Sequence, residues 1–361
     1  MFYLGIDQHA MHLTVNLRDE SGEVVKHRKV FTEPALVEAF LTQLTEQTGA
    51  AGGYVAIVEV CGFNDWLLRR LQADEACQDV VLVQPGQRPK QKTDRRDAND
   101  LCELLWINRE RIRAGQKVQG LRRVHIADDE ELSDRRLTAA RQRAGRAVAK
   151  VETKIKGLLY RHNLQHACPT KGLDTKRARR WLQSLELPEV DRLELDHLLE
   201  DWEGGERQVN ELQARIEARH EQHAGSQLLS TIAGAGPYTA LGLACRVGPI
   251  ERFPRPSSLA NFWGLAPGVN DSGQRAGNVG SITKRGSATA RFLLGQMVIH
   301  VLRRDRVIRD WYRKIRKRRG TQVARVAVMR RLATIIWHMM KTGEVYRVGG
   351  GIPEGASPGA T

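Results

Sequence analysis

Apolar-rich runs separated by polar residues occupy the first 31 residues of the chain. Apolar-rich runs at residues 2–8, 11–18 and 23–31 predict three successive strands. Between the second and third run, the segment Asp19-Glu20-Ser21-Gly22 has the composition of a tight turn. The chain is therefore predicted to begin with three antiparallel strands.

Helical and extended patterns then alternate. Pro34 is predicted to begin a helix, since proline is tolerated in a first turn. Residues 54–60 form a fourth, largely apolar strand pattern, residues 66–71 a helical one and residues 80–83 a short buried strand. Three antiparallel strands followed by alternating helices and strands are typical of a ribonuclease-H-like α/β domain, whereas a doubly wound sheet alternates from its start.

The remaining two thirds of the chain favour helices. Residues 110–165 and 190–224 are charge-rich with apolar residues spaced three and four apart, which predicts a two-helix arm with a loop at Pro169–Leu173. A spacer and an interaction surface are both open as roles of this arm. Two basic helices are predicted at about 288–319 and 322–342. We divide the chain into an α/β domain (1–109), a helical, coiled-coil arm (110–226), a mostly α C-terminal domain (227–346) and a disordered tail (347–361).

Composition narrows the class of protein. Of the 361 residues, 41% are hydrophobic and 27% are charged, which is ordinary for a globular protein in water. No run approaches the roughly 18 uninterrupted apolar residues of a membrane span, and Met1 leads into a strand pattern without the features of a signal peptide. The five cysteines show no paired spacing. We therefore expect a cytoplasmic protein without a membrane partner.

The net charge of +15 is concentrated in the last third of the chain. Residues 1–107 contain 11 basic and 16 acidic residues, and residues 108–224 contain 24 and 20. Residues 225–345 contain 21 basic residues against 5 acidic ones. A surface that serves only solubility mixes both signs, whereas a segregated basic region is typical of nucleic-acid binding. Candidate contacts include the consecutive cations Arg316, Lys317, Arg318 and Arg319.

Four carboxylates occupy positions that point to metal chemistry. Asp7 and Glu59 lie on the first and fourth predicted strands, which are neighbours in a ribonuclease-H-like sheet, and Asp94 and Asp97 share a face at the start of the next helix. At ~4 Å each like-charged pair costs about 4 kcal/mol at an effective dielectric constant of 20, so protons or cations must neutralise such a cluster. Oxygen ligands alone suit Mg²⁺ or Mn²⁺.

Each carboxylate also has a structural interpretation. Asp7 could end its strand in a turn, and Asp94 could cap the helix, a common role of aspartate. Asp97 and Asp100 could pair with neighbouring arginines on a solvated face, or Asp100 could replace Asp94 or Asp97 as a ligand. The placement of Asp7 and Glu59 favours the metal interpretation.

A serine in a glycine-rich turn is the candidate nucleophile. Ser272 lies in Asn270–Arg275, and serine needs activation or a polarised target before it attacks. Cations that could hold a phosphate beside it are Arg275, Lys284 and Arg285. Two rival serines are Ser281 and Ser287. The segment Ile232–Ala240 could present backbone amides to a DNA phosphate, or its glycines could simply end a helix pair.

Several short motifs, taken in their order and spacing, resemble one family over nearly the whole chain. They are Gly5-Ile6-Asp7, Val58-Glu59, the block Lys92–Ala98, Ile232–Ala240, Leu265-Ala266-Pro267 and Ile282-Thr283-Lys284-Arg285-Gly286. The chain resembles the transposases of the insertion-sequence-110 family, the DEDD enzymes also called bridge-RNA recombinases. No single motif is decisive alone.

The resemblance implies residue roles. In an N-terminal RuvC-like domain, Asp7, Glu59, Asp94 and Asp97 would form the metal-binding quartet. In a C-terminal transposase domain, a serine would join covalently to DNA. The family's Ser-Gly-Gly-Lys corresponds here to Ser272-Gly273-Gln274-Arg275, so glutamine and arginine replace glycine and lysine.

The resemblance also implies partners: donor and target double-stranded DNA, a noncoding guide RNA, and further copies of the chain in dimers and tetramers, in a prokaryotic cytoplasm at the nucleoid. The leading hypothesis is a Mg²⁺-dependent recombinase with a phosphoserine intermediate. The alternative is a metal-dependent nuclease or Holliday-junction resolvase that uses water activated by the carboxylates. The four carboxylates argue against a third hypothesis, a nucleic-acid-binding protein without activity.

Overall fold

The computed structural model describes residues 1–84, 94–119, 121–269 and 279–350. Within these ranges, the side chains of residues 94–96, 269, 279–281 and 350 are not described. The chain forms two units, Met1–Ile126 and Ala127–Thr361. The predicted division at residues 109 and 226 stays a prediction.

In its described residues, the first unit combines one sheet with four α-helices. Its elements are β1 Phe2–Gln8, β2 His12–Arg18, β3 Val24–Phe31, α1 Pro34–Thr48, β4 Tyr54–Glu59, α2 Asp65–Ala73, β5 Cys77–Val83, α3 Asp94–Ile107 and α4 Arg109–Arg113. The strand order is β3-β2-β1-β4-β5, with β1, β2 and β3 antiparallel and β4 and β5 parallel to β1. The predicted strands and the adjacency of the first and fourth strands are confirmed. The RuvC-like assignment stays a prediction.

Local chemistry explains the hairpin that joins β2 to β3. Gly22 adopts φ +94°, a left-handed conformation that glycine tolerates, and its amide donates to the Asp19 carbonyl at 3.2 Å. The Asp19 carboxylate accepts from the Glu23 amide at 3.0 Å. The sheet then buries both faces. Even-numbered residues of β1 and β4 pack in the core that holds α1 and α2, and odd-numbered ones pack against α3.

The second unit is mostly helical, as predicted for this part of the chain. Its elements are α5 Asp129–Arg161, α6 Lys176–Gln183, α7 Glu189–Gln222, α8 Ala224–Ser230, α9 Pro237–Val247, α10 Pro256–Phe262, β6 Pro267–Val269, β7 Val279–Ile282, α11 Ala288–Arg304 and α12 Arg306–Thr342. Its main core is formed by α8 to α12. None of the helices in the described ranges is long and apolar enough to cross a bilayer.

The two long helices of the arm run antiparallel. Arg161 at the end of α5 pairs with Asp191 at the start of α7, and Arg219 near the end of α7 pairs with Asp134 near the start of α5. Gly205 permits the close approach, since a Cβ there would lie 2.8 Å from a methyl group of Val148. A cluster around Ile155, Leu158, Leu195, Leu198 and Trp202 closes the distal end.

The predicted helix over residues 110–165 is wrong at its start. Gly115, at φ +66°, follows the short α4, and Asp128 caps α5 by accepting from the Glu131 amide at 2.7 Å. In the described residues between them the chain is not helical. Apolar spacing continued through this segment, so periodicity alone could not locate the break. The sequence also missed α6, whose eight residues are fewer than the helical pattern needs.

The last two helices are divided differently from the prediction. The predicted single helix over 288–319 is broken at Asp305, which caps α12 by accepting from the Ile308 amide at 2.9 Å. Gly320 is non-helical, with φ +81° and ψ 170°, so α12 bends where the sequence predicted a boundary. Residues 351–361, most of the predicted tail, lie outside the described residues.

Asp305 also anchors the segment that follows α12. It is 1% exposed and accepts hydrogen bonds from the Tyr346 hydroxyl and from the Gly349 amide, the latter at 2.7 Å. Burial raises the pKa of Asp305, but these hydrogen bonds together outweigh burial and hold the pKa below its ordinary value. The charged carboxylate therefore stabilises this fold.

Asp305→Asn should lower the free energy of unfolding at pH 7 by about 2 to 3 kcal/mol, because hydrogen bonds to a charged acceptor are lost. A carboxylate whose pKa is lower in the folded state stabilises the fold at pH values above its unfolded-state pKa, which is near 3.9. This stabilisation is lost as the pH falls through the folded-state pKa. The deficit measured by urea unfolding should thus shrink below about pH 4. Asp310→Asn, at a half-exposed position, is the control. An equal deficit in both variants would contradict the anchoring role.

Candidate metal and nucleic-acid sites

Asp7 and Glu59 lie side by side at the ends of adjacent strands. The parallel register pairs Ile6 with Val58, so the next residue on each strand is one of the two carboxylates. Paired residues of neighbouring strands project to the same face of a sheet, here the face covered by α3. Asp7 is 9% exposed, although the position is one where burial normally selects an apolar residue.

The first turn of α3 lies level with Asp7. The Cys102 thiol donates to the Tyr3 carbonyl at 3.1 Å, and a Cβ on Gly5 would lie 2.4 Å from the carbonyl oxygen of Ala98. One helical turn therefore corresponds to two residues of β1, in agreement with rises of about 1.5 and 3.3 Å per residue. One further turn brings the start of α3 to the level of Asp7.

Gly5→Ala should therefore displace α3. An added Cβ would meet backbone atoms of Ala98 and Cys102, which cannot rotate away as a side chain could. Overpacking of this kind costs about 1 to 3 kcal/mol, and the unfolding free energy should fall by that amount together with strand cleavage. Gly49→Ala is the control, because its helical position has open space around it. Equal stability of the two variants would show that α3 is not held in contact with β1 at Gly5.

The structure describes these candidate acids unequally. Asp97 is half-buried and Asp100 is exposed. Asp94 is the first residue of α3, but its side chain lies outside the described part. Among the described side chains, no group of three or more histidine, cysteine, aspartate or glutamate residues could hold a metal ion. The donor chemistry nevertheless fits Mg²⁺ or Mn²⁺, since Asp7, Glu59 and Asp97 offer only carboxylate oxygens.

Two polar side chains that sequence reasoning missed tie the carboxylate-bearing strand ends together. Asn64 is 3% exposed, and its amide donates to the Gln8 side-chain oxygen at 2.8 Å and to the Glu59 carbonyl at 3.1 Å. Gln8, which is also buried, donates in turn to the Phe63 carbonyl at 3.1 Å. The signal in the sequence was a glutamine inside a strand that is otherwise apolar at its even positions.

A histidine that sequence reasoning also missed contacts Asp7 directly. His9 Nε2 lies 2.9 Å from Asp7 Oδ2, and the His9 ring stacks on His12 with centroids 4.6 Å apart. This contact fixes the orientation of the Asp7 carboxylate. The spacing His9-x-x-His12 was the available sign, because the tight turn between β1 and β2 brings the two rings together.

The predicted serine site is described only at its borders. Ser272 and Arg275 lie outside the described residues, in the segment that connects β6 to β7, and the side chain of Ser281 is not described either. Ser287 caps α11 by accepting from the Ala290 amide at 3.1 Å. Ser287 therefore has a structural role, which weakens it as a rival nucleophile.

Lys284 and Arg285 stand on a fixed turn after β7. The Lys284 amide donates to the Gly264 carbonyl at 3.2 Å, and a Cβ on Gly286 would lie 2.1 Å from the Phe262 carbonyl oxygen. The side chains of Lys284 and Arg285 are exposed and make no ion pair with the described residues. The hydrogen bond and the close backbone contact hold this turn in place, so Lys284 and Arg285 project into solvent from a well-fixed backbone.

The glycine-rich segment 232–240 joins α8 to α9. Gly234 adopts φ +86°, and a Cβ there would lie 2.4 Å from the Cβ of His300, so glycine is required for packing. Gly236 caps α9, and a Cβ there would meet nothing within 4 Å. The turn between α8 and α9 is therefore sufficient to explain Gly234. Phosphate contact at the start of α9 stays a prediction.

The cationic cluster of α12 is exposed. Arg316, Lys317, Arg318 and Arg319 all project to solvent just before the bend at Gly320, and none of them is ion-paired within the described ranges. The Arg316 guanidinium lies over the Tyr312 ring at 5.9 Å.

Comparisons with known proteins point in one direction. Residues 226–313 match the family described as Transposase IS116/IS110/IS902 family. The chain is 26% identical over 361 residues to a probable family 20 transposase of Pseudomonas aeruginosa, covering 96% of this chain and 98% of that protein. It is 27% identical over 272 residues, 72% of this chain and 69% of the relative, to the transposase for insertion sequence element IS1111A of Coxiella burnetii. The family resemblance indicated by the sequence motifs is thereby confirmed.

Proposed function

We propose, from the premise that this chain belongs to the transposase IS116/IS110/IS902 family, that it cuts and rejoins double-stranded DNA through a covalent phosphoserine intermediate. Similarity to a probable transposase over 96% of the chain supports DNA as the substrate. The observation that carries the metal part of the proposal is the placement of Asp7 and Glu59 on one face of the sheet, level with the first turn of α3.

The carboxylates of the first unit are proposed as the metal ligands. Asp7 and Glu59 come from the sheet, and Asp94 and Asp97 from α3. The half-burial of Asp97 and the exposure of Asp100 favour Asp97 in this role. Bound Mg²⁺ or Mn²⁺ would supply charge neutralisation and polarisation of the phosphodiester. His9 orients the Asp7 carboxylate, and Asn64 holds the ends of β1 and β4 together.

Ser272 is proposed as the nucleophile. Its hydroxyl oxygen forms a bond to the phosphorus of the target linkage, the bond from phosphorus to the 3′ oxygen breaks, and the DNA 5′ phosphate stays on the serine. The serine proton passes to water and the leaving 3′ oxygen takes up a proton. Attack by the 3′ hydroxyl of another strand end then restores the phosphodiester and frees Ser272. Arg275, Lys284 and Arg285 are proposed to hold the phosphate oxygens during both steps.

A noncoding RNA of the same insertion element is proposed as the guide, and dimers or tetramers as the working assembly. Both proposals rest on the family resemblance. The basic C-terminal third is proposed to supply most of the affinity for nucleic acid that does not depend on sequence, because most of its described cations are exposed and acidic residues are nearly absent there.

Replacing Arg316, Lys317, Arg318 and Arg319 together by glutamine should flatten the salt dependence of binding to a DNA duplex. Each phosphate contact contributes about −0.9 to the slope of log affinity against log salt, so the slope should decrease by roughly 3 to 4. A matched control replaces four exposed cations of the arm tip, namely Lys171, Lys176, Arg177 and Arg180. An unchanged slope in the first variant would mean that this cluster is only a solvated surface.

A denaturing gel tests the proposed function. The protein is incubated with Mg²⁺, end-labelled duplex DNA carrying an end of the insertion element, and RNA transcribed from the element's noncoding region. We expect a labelled protein–DNA adduct and rejoined strands. Cut strands without any adduct would favour the nuclease or resolvase alternative. Neither product would contradict an enzymatic role on this substrate.

A further inference from the structure

The two long helices of the arm carry opposite charge. Residues 135–161 of α5 contain nine basic residues and one acidic residue, Glu152, whereas α7 contains eleven acidic and four basic residues. The near-neutral total of the arm conceals this separation. A surface made only for solubility would mix both signs on each helix.

The unpaired cations of α5 lie on one face of the helix. Arg143, Arg146, Lys150 and Lys154, here termed the α5 stripe, are all exposed. At 3.6 residues per turn they fall within an arc of about 80°, and they extend over about 16 Å at the usual rise. The one acid of this stretch, Glu152, lies outside the arc and pairs with Lys156. The α5 stripe is therefore a continuous basic surface.

Attraction between α5 and α7 does not explain the α5 stripe. The pairs that join the two helices in the described structure lie at their ends, where Arg161 meets Asp191 and Glu194 and where Arg219 meets Asp134. Arg143, Lys150 and Lys154 make no ion pair within the described residues, and Arg146 lies over the Phe292 ring at 5.6 Å. These charges are available to a partner.

A second copy of the chain fits this surface poorly. Of the eleven acids of α7, five are already ion-paired within the chain, namely Asp191, Glu194, Asp196, Glu206 and Glu211. Between the cations of the α5 stripe stand small residues such as Ala147, whereas stable protein interfaces have an apolar or aromatic centre. The surface is charged without an apolar core.

We propose that the α5 stripe binds the phosphate backbone of a nucleic-acid duplex. Single strands are usually held by exposed aromatic residues on which bases stack, and the α5 stripe contains none. A long helix packed along α7 suits a rigid partner, and about 16 Å covers about five phosphates of one strand along a duplex axis. The arm thus holds DNA or structured RNA beyond the reacting linkage. This inference depends on the proposed function only in taking nucleic acid as the partner.

Equilibrium binding to labelled 25-base-pair duplexes of DNA and of RNA tests the proposal, with EDTA present so that strand cleavage plays no part. The full chain is compared with the triple variant Arg143→Gln, Lys150→Gln and Lys154→Gln. We expect the salt slope to fall by about 2 to 3 and the affinity at 0.1 M salt to drop on the order of 10- to 100-fold. The duplex whose binding is weakened identifies the partner, and weakening of both supports the proposal equally.

Two controls keep the result interpretable. Arg111→Gln, Arg113→Gln and Lys117→Gln remove the same charge at exposed positions of the first unit that make no ion pair with a described residue, and this variant should keep the salt slope. The conservative set Arg143→Lys, Lys150→Arg and Lys154→Arg should bind as the parent does, which excludes misfolding as the cause. The proposal is overturned by a slope equal to that of the parent or the control, by an equal loss on single-stranded poly-dT, or by a changed oligomeric state without a change in duplex binding.

Discussion

Replacing Asp7 by asparagine should reduce DNA strand cleavage by at least about 10³-fold, which corresponds to roughly 4 kcal/mol of transition-state stabilisation. Asparagine keeps the size of the side chain and one oxygen that can face His9. It removes one carboxylate oxygen and the negative charge that helps to hold a hard cation. Glu59→Gln, Asp94→Asn and Asp97→Asn should have effects of the same kind.

The Asp7→Asn variant should lose activity without losing stability. Removing one carboxylate of the proposed quartet would relieve repulsion between like charges, so the unfolding free energy in EDTA should stay constant or rise. Asp100→Asn, at an exposed position of the same helix, is the matched control and should keep its activity. If Asp94→Asn cleaves DNA normally and Asp100→Asn does not, the two ligands from α3 are Asp97 and Asp100 and not Asp94 and Asp97.

Replacing Ser272 by alanine should abolish both the protein–DNA adduct and strand exchange, while binding of DNA and RNA stays normal. Without the hydroxyl oxygen no phosphoserine can form, whereas the cations that hold the phosphate remain. Ser272→Cys should keep a trace of adduct, since a thiolate is also nucleophilic. Denaturing gels for the adduct and filter binding for affinity separate the two effects.

Two further variants decide between the serines. Ser281→Ala should retain the adduct, and Ser287→Ala should lower helix stability by about 1 kcal/mol through loss of the cap on α11. If Ser272→Ala forms the adduct and Ser281→Ala does not, the nucleophile lies nine residues later. If neither matters while the carboxylates remain essential, water is the nucleophile.

The sequence predicted the first unit well because its signals are local and strong. The strands β1 to β4 coincide with the runs predicted as strands, and the turn residues Asp19 and Gly22 make the hydrogen bond and the positive φ that the hairpin of β2 and β3 needs. The neighbourhood of Asp7 and Glu59 followed from the element order alone. The contribution of Gly5 could not be predicted, because it depends on how closely α3 approaches the sheet.

Tertiary interactions explain what the sequence did not predict. Asn64 and Gln8 are far apart in the chain and appear ordinary until β1 and β4 pair. In the sequence, Asp305 is a single acid within a basic helical segment. In the structure it ends α11, caps α12 and accepts a hydrogen bond from Tyr346. The opposite charges of α5 and α7 are present in the sequence. They were missed because the charges of residues 108–224 were added together, so that the basic and acidic helices nearly cancelled.

Peptide mapping of the protein–DNA adduct tests the central claim most directly. The adduct formed with Mg²⁺, guide RNA and duplex DNA is digested with nuclease and trypsin, and the modified peptide is sequenced by mass spectrometry. We predict a nucleotide attached through its 5′ phosphate to Ser272, and no such peptide from the Asp7→Asn variant. A nucleotide on another residue, or rejoined strands without any modified peptide, would contradict recombination through Ser272.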